Sequence, residues 1–475
     1  MLFNSLVFLG FITIVFLVYP RLRLREQNVF LLLASYVFYG YWDWRFNFLL
    51  LTSTVLNFWV GRNIHANSNQ KQRKWLLIVS VAVNLGILGF FKYFNFFVES
   101  AVSLIAATGF EPHLPVLRVI LPVGISFYTF QTMSYTIDIY RGKLEPTENF
   151  IDFALFVSFF PQLVAGPIER AKNLLPQISK PRDMTRENVL TGLNLVLLGF
   201  FKKVAIADTL APIVENIFAD PTAMSSGQLW TGVYAFTFQI YGDFSGYTDI
   251  ARGIALILGF KLMENFNAPY LSRNITEFWR RWHISLSSWL KDYLYIPLGG
   301  NRCGRARTYT NLMITMFLGG LWHGAAWNFV VWGLLHGIYL AGHRIILRGK
   351  KPDLSWPRTF PGWGADIIKI FLTFHLVALT WVLFRSPDFP SALVYLKGLF
   401  RFHQFSGLSA AVLFAGSLMI ALDVAQTWSR SHTWLTDRQG IRIVRYSVTQ
   451  LLLVSVLTAS IAHIQTITPF IYFQF

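Results

Sequence analysis

Apolar residues along this chain gather in long runs, and short stretches dense in Arg and Lys separate them. A helix needs about 20 predominantly apolar residues to cross a hydrocarbon layer of roughly 30 Å. Runs of this kind recur at 5–19, 28–42, 46–60, 76–98, 190–207, 229–240, 326–342, 366–384, 408–422 and 448–463. They predict an all-α polytopic membrane protein with about ten or eleven crossings. The first run lacks a basic segment before it and a small-x-small cleavage site after it, so it is expected to stay as the first span.

Two segments depart from the plain apolar pattern. Residues 121–143, "LPVGISFYTFQTMSYTIDIYRGK", and 159–170, "FFPQLVAGPIER", mix Pro, Gly, hydroxyl and amide residues and Asp138 into apolar sequence. Irregular backbone at membrane depth survives only where protein or a water-filled cavity satisfies its N–H and C=O groups. These segments are therefore expected to be re-entrant or cavity-lining. A third pattern places Phe278, Trp279, Trp282, Leu286, Trp289 and Leu290 at helical spacing among Arg280, Arg281, Lys291 and Asp292. That stripe predicts a basic amphipathic helix lying in the membrane interface, as an anchor or as part of a substrate entrance.

Composition agrees with the pattern. Length alone would suggest about three soluble domains, but 54% of the 475 residues are hydrophobic and only 14% are charged. The texture divides the chain into plain spans at 1–110 and 405–475 and a central 118–385 that holds most of the unusual polar residues, within one membrane-embedded domain over 1–475. Cys303 is the single cysteine, which excludes intrachain disulfides and cysteine-pair metal or redox centres.

The net charge of +17 raises the question of nucleic acid, and its placement answers it. The basic residues sit between spans, at 21–26, 62–74, 180–187, 273–282, 301–307, 343–351 and 438–445. This is the bias of short cytoplasmic loops, so the partner is membrane lipid and not nucleic acid. The same rule puts the N-terminus, 99–116 and 386–389 outside.

Histidines inside apolar sequence are the candidate chemistry, because polar groups at membrane depth are costly. His323 lies in "LWHGAAW" between Gly320 and Gly324, where backbone can approach a substrate closely. His336 follows thirteen positions later and, at 100° per residue on a straight helix, points roughly 140° away. The two face one cavity only if the chain bends, as Gly324 allows; spacing leaves functional and packing roles open for His336. His375, in "FLTFHLVALTWVLFR", is the third. His283 is expected to be interfacial, His65, His343, His403 and His432 to lie in or beside loops, and His113 and His463 to be unremarkable. A histidine titrates near working pH and suits the role of a general base. Asp138, Asp243 and Asp249 are carboxylates that can orient a histidine or pair with Arg141 or Arg252, the structural pairing being the simpler expectation. Asn328, Ser245 and Tyr247 offer hydrogen bonds to an oxyanion. There is no G-x-S-x-G, H-E-x-x-H, P-loop or G-x-G-x-x-G pattern, which leaves no motif for a serine hydrolase, a metal site or a dinucleotide fold.

Five stretches in order, "LPVGISFYTFQTMSYTIDIYRG", "FPQLVAGPIER", "DFSGYTDIARGIALILGFKLMENFNAPY", "FWRRWHISLSSWLKDYLYIPLGGNR" and "LWHGAAWNFVVWGLLHG", resemble the membrane-bound O-acyltransferase family. The likeness is to its bacterial branch, the membrane subunit of alginate O-acetyltransferase and relatives that acetylate peptidoglycan or cellulose. The resemblance implies helices around a central tunnel in the bacterial inner membrane, with the N-terminus periplasmic. It implies acetyl-CoA as cytoplasmic donor substrate with no bound cofactor and no metal. The acceptor would be an extracytoplasmic polysaccharide or a periplasmic acetyltransferase partner. His323 matches the family's essential "WHG" histidine. The related teichoic-acid D-alanylation branch carries a second functional histidine beyond it, and His375 occupies a similar place. Arg280 and Arg281 would meet CoA phosphates on the cytoplasmic side, unless they only anchor the membrane surface. A D-alanyl transferase of the same fold, a transporter and a non-catalytic scaffold are the alternatives.

Overall fold

The computed structural model describes residues 1–109, 119–164, 166–347, 363–401 and 406–431, together with 454, 455, 458, 470 and 471. His113, His403, His432 and His463 lie outside the described residues, as does nearly all of the run at 448–463. Each of the other expected spans coincides with helix, and no strand occurs among the described residues. Among the described residues, five helices are both long and apolar enough to cross a membrane: Gln70–Ala106, Arg186–Ala219, Trp327–Ile346, Gly364–Arg385 and Ala410–Thr427. The protein is a multipass, all-helical membrane protein. Large apolar side chains such as Leu33, Trp59, Phe97, Phe371 and Phe414 point outward, as lipid-facing surface requires.

The chain forms two compact units, Met1–Leu193 with Ala251–Met263, and Asn194–Ile250 with Glu264–Phe475. In the first, the helices Phe46–Ala66, Gln70–Ala106 and Ile125–Tyr140 share an uncharged polar seam. Asn57, Asn84, Ser53, Ser80, Thr132 and Thr136 are all buried there. Asn84 Nδ2 donates to Asn57 Oδ1 at 3.1 Å, while Ser80 Oγ donates to Asn57 Oδ1 at 2.7 Å and Ser53 Oγ to Asn84 Oδ1 at 2.9 Å. Such bonds hold helices together where lipid is as apolar as any side chain. The proline-rich 159–170 segment is broken as its composition predicts. Only Phe160–Leu163 makes a turn of helix, and Phe159, Phe160, Glu169 and Arg170 are buried in protein.

In the second unit a π-helical stretch, Phe201–Asp208, interrupts the long Arg186–Ala219 span. Its wider turn places the adjacent Lys202 and Lys203 both inside. Lys203 Nζ lies 2.8 Å from Asp208 and 2.6 Å from Asp243; Lys202 Nζ lies 2.8 Å from Asp249. Asp243 and Asp249 thus take up structural pairing, with lysines of their own unit. A buried charge with no partner would cost several kcal/mol, so these lysines and carboxylates hold one another in place.

The helices Arg305–His323 and Trp327–Ile346 form an antiparallel hairpin. Gly320 and Gly333 are its contact points: a Cβ on Gly320 would strike the carbonyl of Phe329, and one on Gly333 the carbonyl of Met316. Small residues of this kind let two backbones approach within a membrane protein.

Candidate active site

His323 is the last residue of its helix, and the chain leaves it through an extended Gly324 at φ −161°, ψ 151°. A Cβ on Gly324 would collide with the Phe329 ring, so the turn needs glycine. This is the bend that the helical arithmetic demanded. After it, His323 and His336 approach the same indole, with ring centroids 5.1 Å and 4.6 Å from Trp332.

The two histidines are nevertheless placed differently. Thr380 Oγ1 donates to the Val377 carbonyl at 2.7 Å, so its oxygen accepts from His336 Nε2–H at 3.0 Å. His336 Nδ1 accepts from the Trp279 indole at 3.3 Å. Both ring nitrogens of His336 are occupied within a fully buried site. His375 is engaged elsewhere, its Nδ1 donating to the Phe371 carbonyl at 2.8 Å and its Nε2 3.0 Å from Tyr234 Oη. Among the described residues no ring contact joins His375 to His323.

The residue that does approach His323 is His283, at 6.3 Å between ring centroids. The expected single amphipathic helix is not formed. It breaks into Ile275–Arg281 and Ile284–Leu290, and His283 between them adopts φ 44°, ψ 55°. Left-handed geometry is uncommon for a residue other than glycine, although His shares with Asn and Asp a readier access to it, and it clusters at functional sites. The stripe also turns inward: Trp282, Leu286 and Trp289 are buried in protein rather than laid on an interface. The Ser285 backbone N–H donates to one side-chain atom of Asn265 at 3.2 Å, which identifies that atom as Oδ1. His283 Nδ1 meets the same oxygen at 3.1 Å and therefore carries the proton, leaving Nε2 as the basic nitrogen. Periodicity hid His283, because its neighbours fill a helical stripe that the backbone does not follow. The available signal was a histidine set next to Trp282 and followed by the hydroxyls of Ser285, Ser287 and Ser288.

An aromatic shell closes the pair. Trp322, Trp332 and Phe384 lie 5.1–5.3 Å from the His323 ring, and Trp381 joins Trp282 at 5.0 Å to Trp332 at 5.8 Å. The indole N–H groups of Trp282, Trp332 and Trp381 are buried with no acceptor among the described residues. Such groups in a folded protein call for an explanation, commonly a water or a ligand.

The remaining candidates sit apart from this centre or serve the frame. Asn328 Nδ2 donates to the carbonyls of Leu383 and Ser386 at 3.1 and 2.7 Å, capping a helix end. Ser245 and Tyr247 are buried in the Ser226–Ile257 helix, with the Tyr247 ring 4.7 Å from Phe470. Arg281 is paired with Glu277 at 2.7 Å, and Arg280 is exposed.

Fold and site together define a helical membrane protein with a buried histidine pair inside an aromatic shell. Residues 144–384 match the model of the membrane-bound O-acyltransferase family, and the chain belongs to that family as an acyltransferase. It is 41% identical to a probable alginate O-acetylase of Azotobacter vinelandii, with both chains covered in full. It is 46% identical to the corresponding protein of Pseudomonas aeruginosa, over 89% of this chain and 80% of that one. A peptidoglycan O-acetyltransferase of Helicobacter pylori is 39% identical over 84% of this chain and 80% of its own length.

Proposed function

We propose that this protein is a bacterial inner-membrane O-acetyltransferase. It takes acetyl from cytoplasmic acetyl-CoA and passes it through a tunnel for O-acetylation of an extracytoplasmic polysaccharide, with a periplasmic partner as acceptor or accomplice. The observation that carries this reading is the juxtaposition of His323 and His283 inside a closed aromatic shell. The O-acetylase relatives support the acetyl group and the polysaccharide class.

His323 acts as general base: its imidazole takes the proton of the acceptor hydroxyl as that oxygen attacks the thioester carbonyl. The CoA thiolate leaves and is protonated by the imidazolium so formed, which returns His323 to its neutral state. His283, with Nδ1 held by Asn265, presents a second nitrogen to the same space and relays or stabilises the proton in flight. The indole N–H of Trp332 supplies a hydrogen bond to the oxyanion, and His336 positions that indole from behind.

Purified protein incubated with acetyl-labelled CoA tests the proposal. The wild type hydrolyses or transfers the label, whereas His323→Ala, present in the membrane at equal abundance, does not. A transporter or scaffold leaves the label on CoA in both proteins, and a D-alanyl transferase consumes a D-alanyl thioester instead.

A further inference from the structure

Residues 301–307 and 343–347, which belong to two of the basic segments, meet at the end of the helical hairpin remote from His323. Between them lies a cavity of about 520 Å³ lined by Asn301, Arg305, Thr308, Tyr309 and Arg344. Neither Arg305 nor Arg344 has an ion-pair partner among the described residues, although Arg344 is half-buried. The first turn of the Arg305–His323 helix opens on the same space. Gly304 precedes it without a side-chain cap, so its leading N–H groups add positive potential to the two guanidiniums. Arginines that line a cavity without a carboxylate suit a planar, multiply charged oxyanion, which guanidinium meets through two parallel hydrogen bonds. The volume exceeds that of a lone ion and falls in the range of small-molecule sites.

We propose that this cavity binds the phosphate of an organic phosphate ester. Two sources carry that chemistry: the nucleotide of the acyl-CoA donor, which rests on the function proposed above, and the headgroup of an anionic phospholipid, which does not. The nucleotide source has a geometric requirement. Along the helix, Arg305 and His323 are eighteen residues apart, or roughly 27 Å at 1.5 Å per residue. A donor that is seated here must therefore reach the histidines through a long, thin, extended arm. In contrast to Arg281, whose charge is committed to Glu277, the two cavity arginines are available to such a ligand.

The test uses full-length protein in nanodiscs, comparing wild type with the Arg305→Gln, Arg344→Gln double variant. Adenosine 3′,5′-bisphosphate serves as the nucleotide probe, and phosphatidylglycerol in a phosphatidylcholine background as the lipid probe. If the nucleotide is the source, the bisphosphate binds the double variant at least tenfold more weakly. The loss in kcat/KM for acetyl-CoA then falls on KM, and added salt erodes the difference. If the lipid is the source, nucleotide binding is equal in both proteins, and only the wild type is stabilised against heat by phosphatidylglycerol. Either result supports the phosphate site. Equal behaviour of both proteins toward both probes overturns it. If the double variant fails to fold, the exposed Arg305→Gln change alone reads the same shifts. Bisphosphate binding by a wild type that leaves acetyl-CoA untouched would sink the proposed function and keep the cavity. Turnover with unchanged KM and unchanged lipid response would do the reverse.

Discussion

Two of the protein's polar interiors are built on opposite principles. In the first unit, Asn57, Asn84, Ser53 and Ser80 exchange hydrogen bonds until each side-chain donor and acceptor is matched. In the second, the histidine pair is packed against rings, and the indole N–H groups of Trp282, Trp332 and Trp381 find no acceptor among the described residues. A matched set of buried dipoles resists change and offers nothing to a substrate. Unmatched donors in an apolar shell cost stability and gain strength toward a charge that appears beside them. The contrast separates polar residues that hold helices together from those proposed to do chemistry, and substitutions in the two places should behave differently.

The largest effect is expected at His323. Positioned acid–base groups contribute typically ~10²–10⁴-fold, and His323→Ala should lose acetyl transfer on that scale, measured as label released from acetyl-CoA per mole of folded protein. His283→Ala comes next, with an expected loss of about 10²-fold if it handles the same proton. The two changes together should cost little more than His323→Ala alone, because groups that act as a unit are strongly non-additive. Asn265→Leu should reproduce the His283 defect without touching the ring, since it removes the acceptor that fixes the tautomer. Full additivity of His283 and His323 would place His283 in the frame and not in the reaction.

The sequence made some of this legible and concealed the rest for identifiable reasons. Helical spans and the broken 159–170 segment followed from runs of apolar residues and from proline and glycine. These signals are local. The bend after His323 was also readable, because two neighbouring glycines flank a histidine that a straight helix would misplace. His283 was not readable by periodicity: its two short helices are separated by one left-handed residue, and the stripe of tryptophans continues across the break. The partners of Asp243 and Asp249 were hidden for a similar reason. A π-helical turn, absent from any 3.6-residue pattern, brings Lys202 and Lys203 to the same interior. His336 and His375 shared with His323 a place in apolar sequence; the flanking glycines set His323 apart, and the hydrogen-bond partners of the other two complete the distinction.

A smaller effect is expected from Trp332→Phe, which keeps the ring that both histidines touch and deletes only the N–H. If that donor meets the oxyanion, kcat should fall about tenfold, close to 1.4 kcal/mol in the barrier, with no loss of thermal stability. A fall in stability without a fall in kcat would mean that the indole nitrogen belongs to the packing after all. The comparison between the two interiors would then lose its chemical side.

The smallest effect on turnover is expected in the seam itself. Asn84→Ala removes the acceptor of Ser53 and the donor to Asn57. Leaving a buried polar group unpaired costs roughly 1–3 kcal/mol, but interhelical hydrogen bonds in a membrane protein average only about 0.6 kcal/mol because neighbours find new partners. The expected loss is therefore near the bottom of the first range, a fall in Tm of about 2–4 °C for a unit of this size. Acetyl-CoA turnover at a permissive temperature should stay within about twofold, since the amides and hydroxyls of the seam bond one another. The double change Asn57→Leu, Asn84→Leu sharpens the point. It strips both Ser53 and Ser80 of their amide acceptors, so the double variant should lie further below wild type in Tm than Asn84→Ala does. Thermal unfolding in detergent, followed with turnover on the same samples, measures both. If turnover falls with Asn84→Ala as far as with Trp332→Phe, the matched seam is coupled to the chemistry, and matching is no guide to function in this fold.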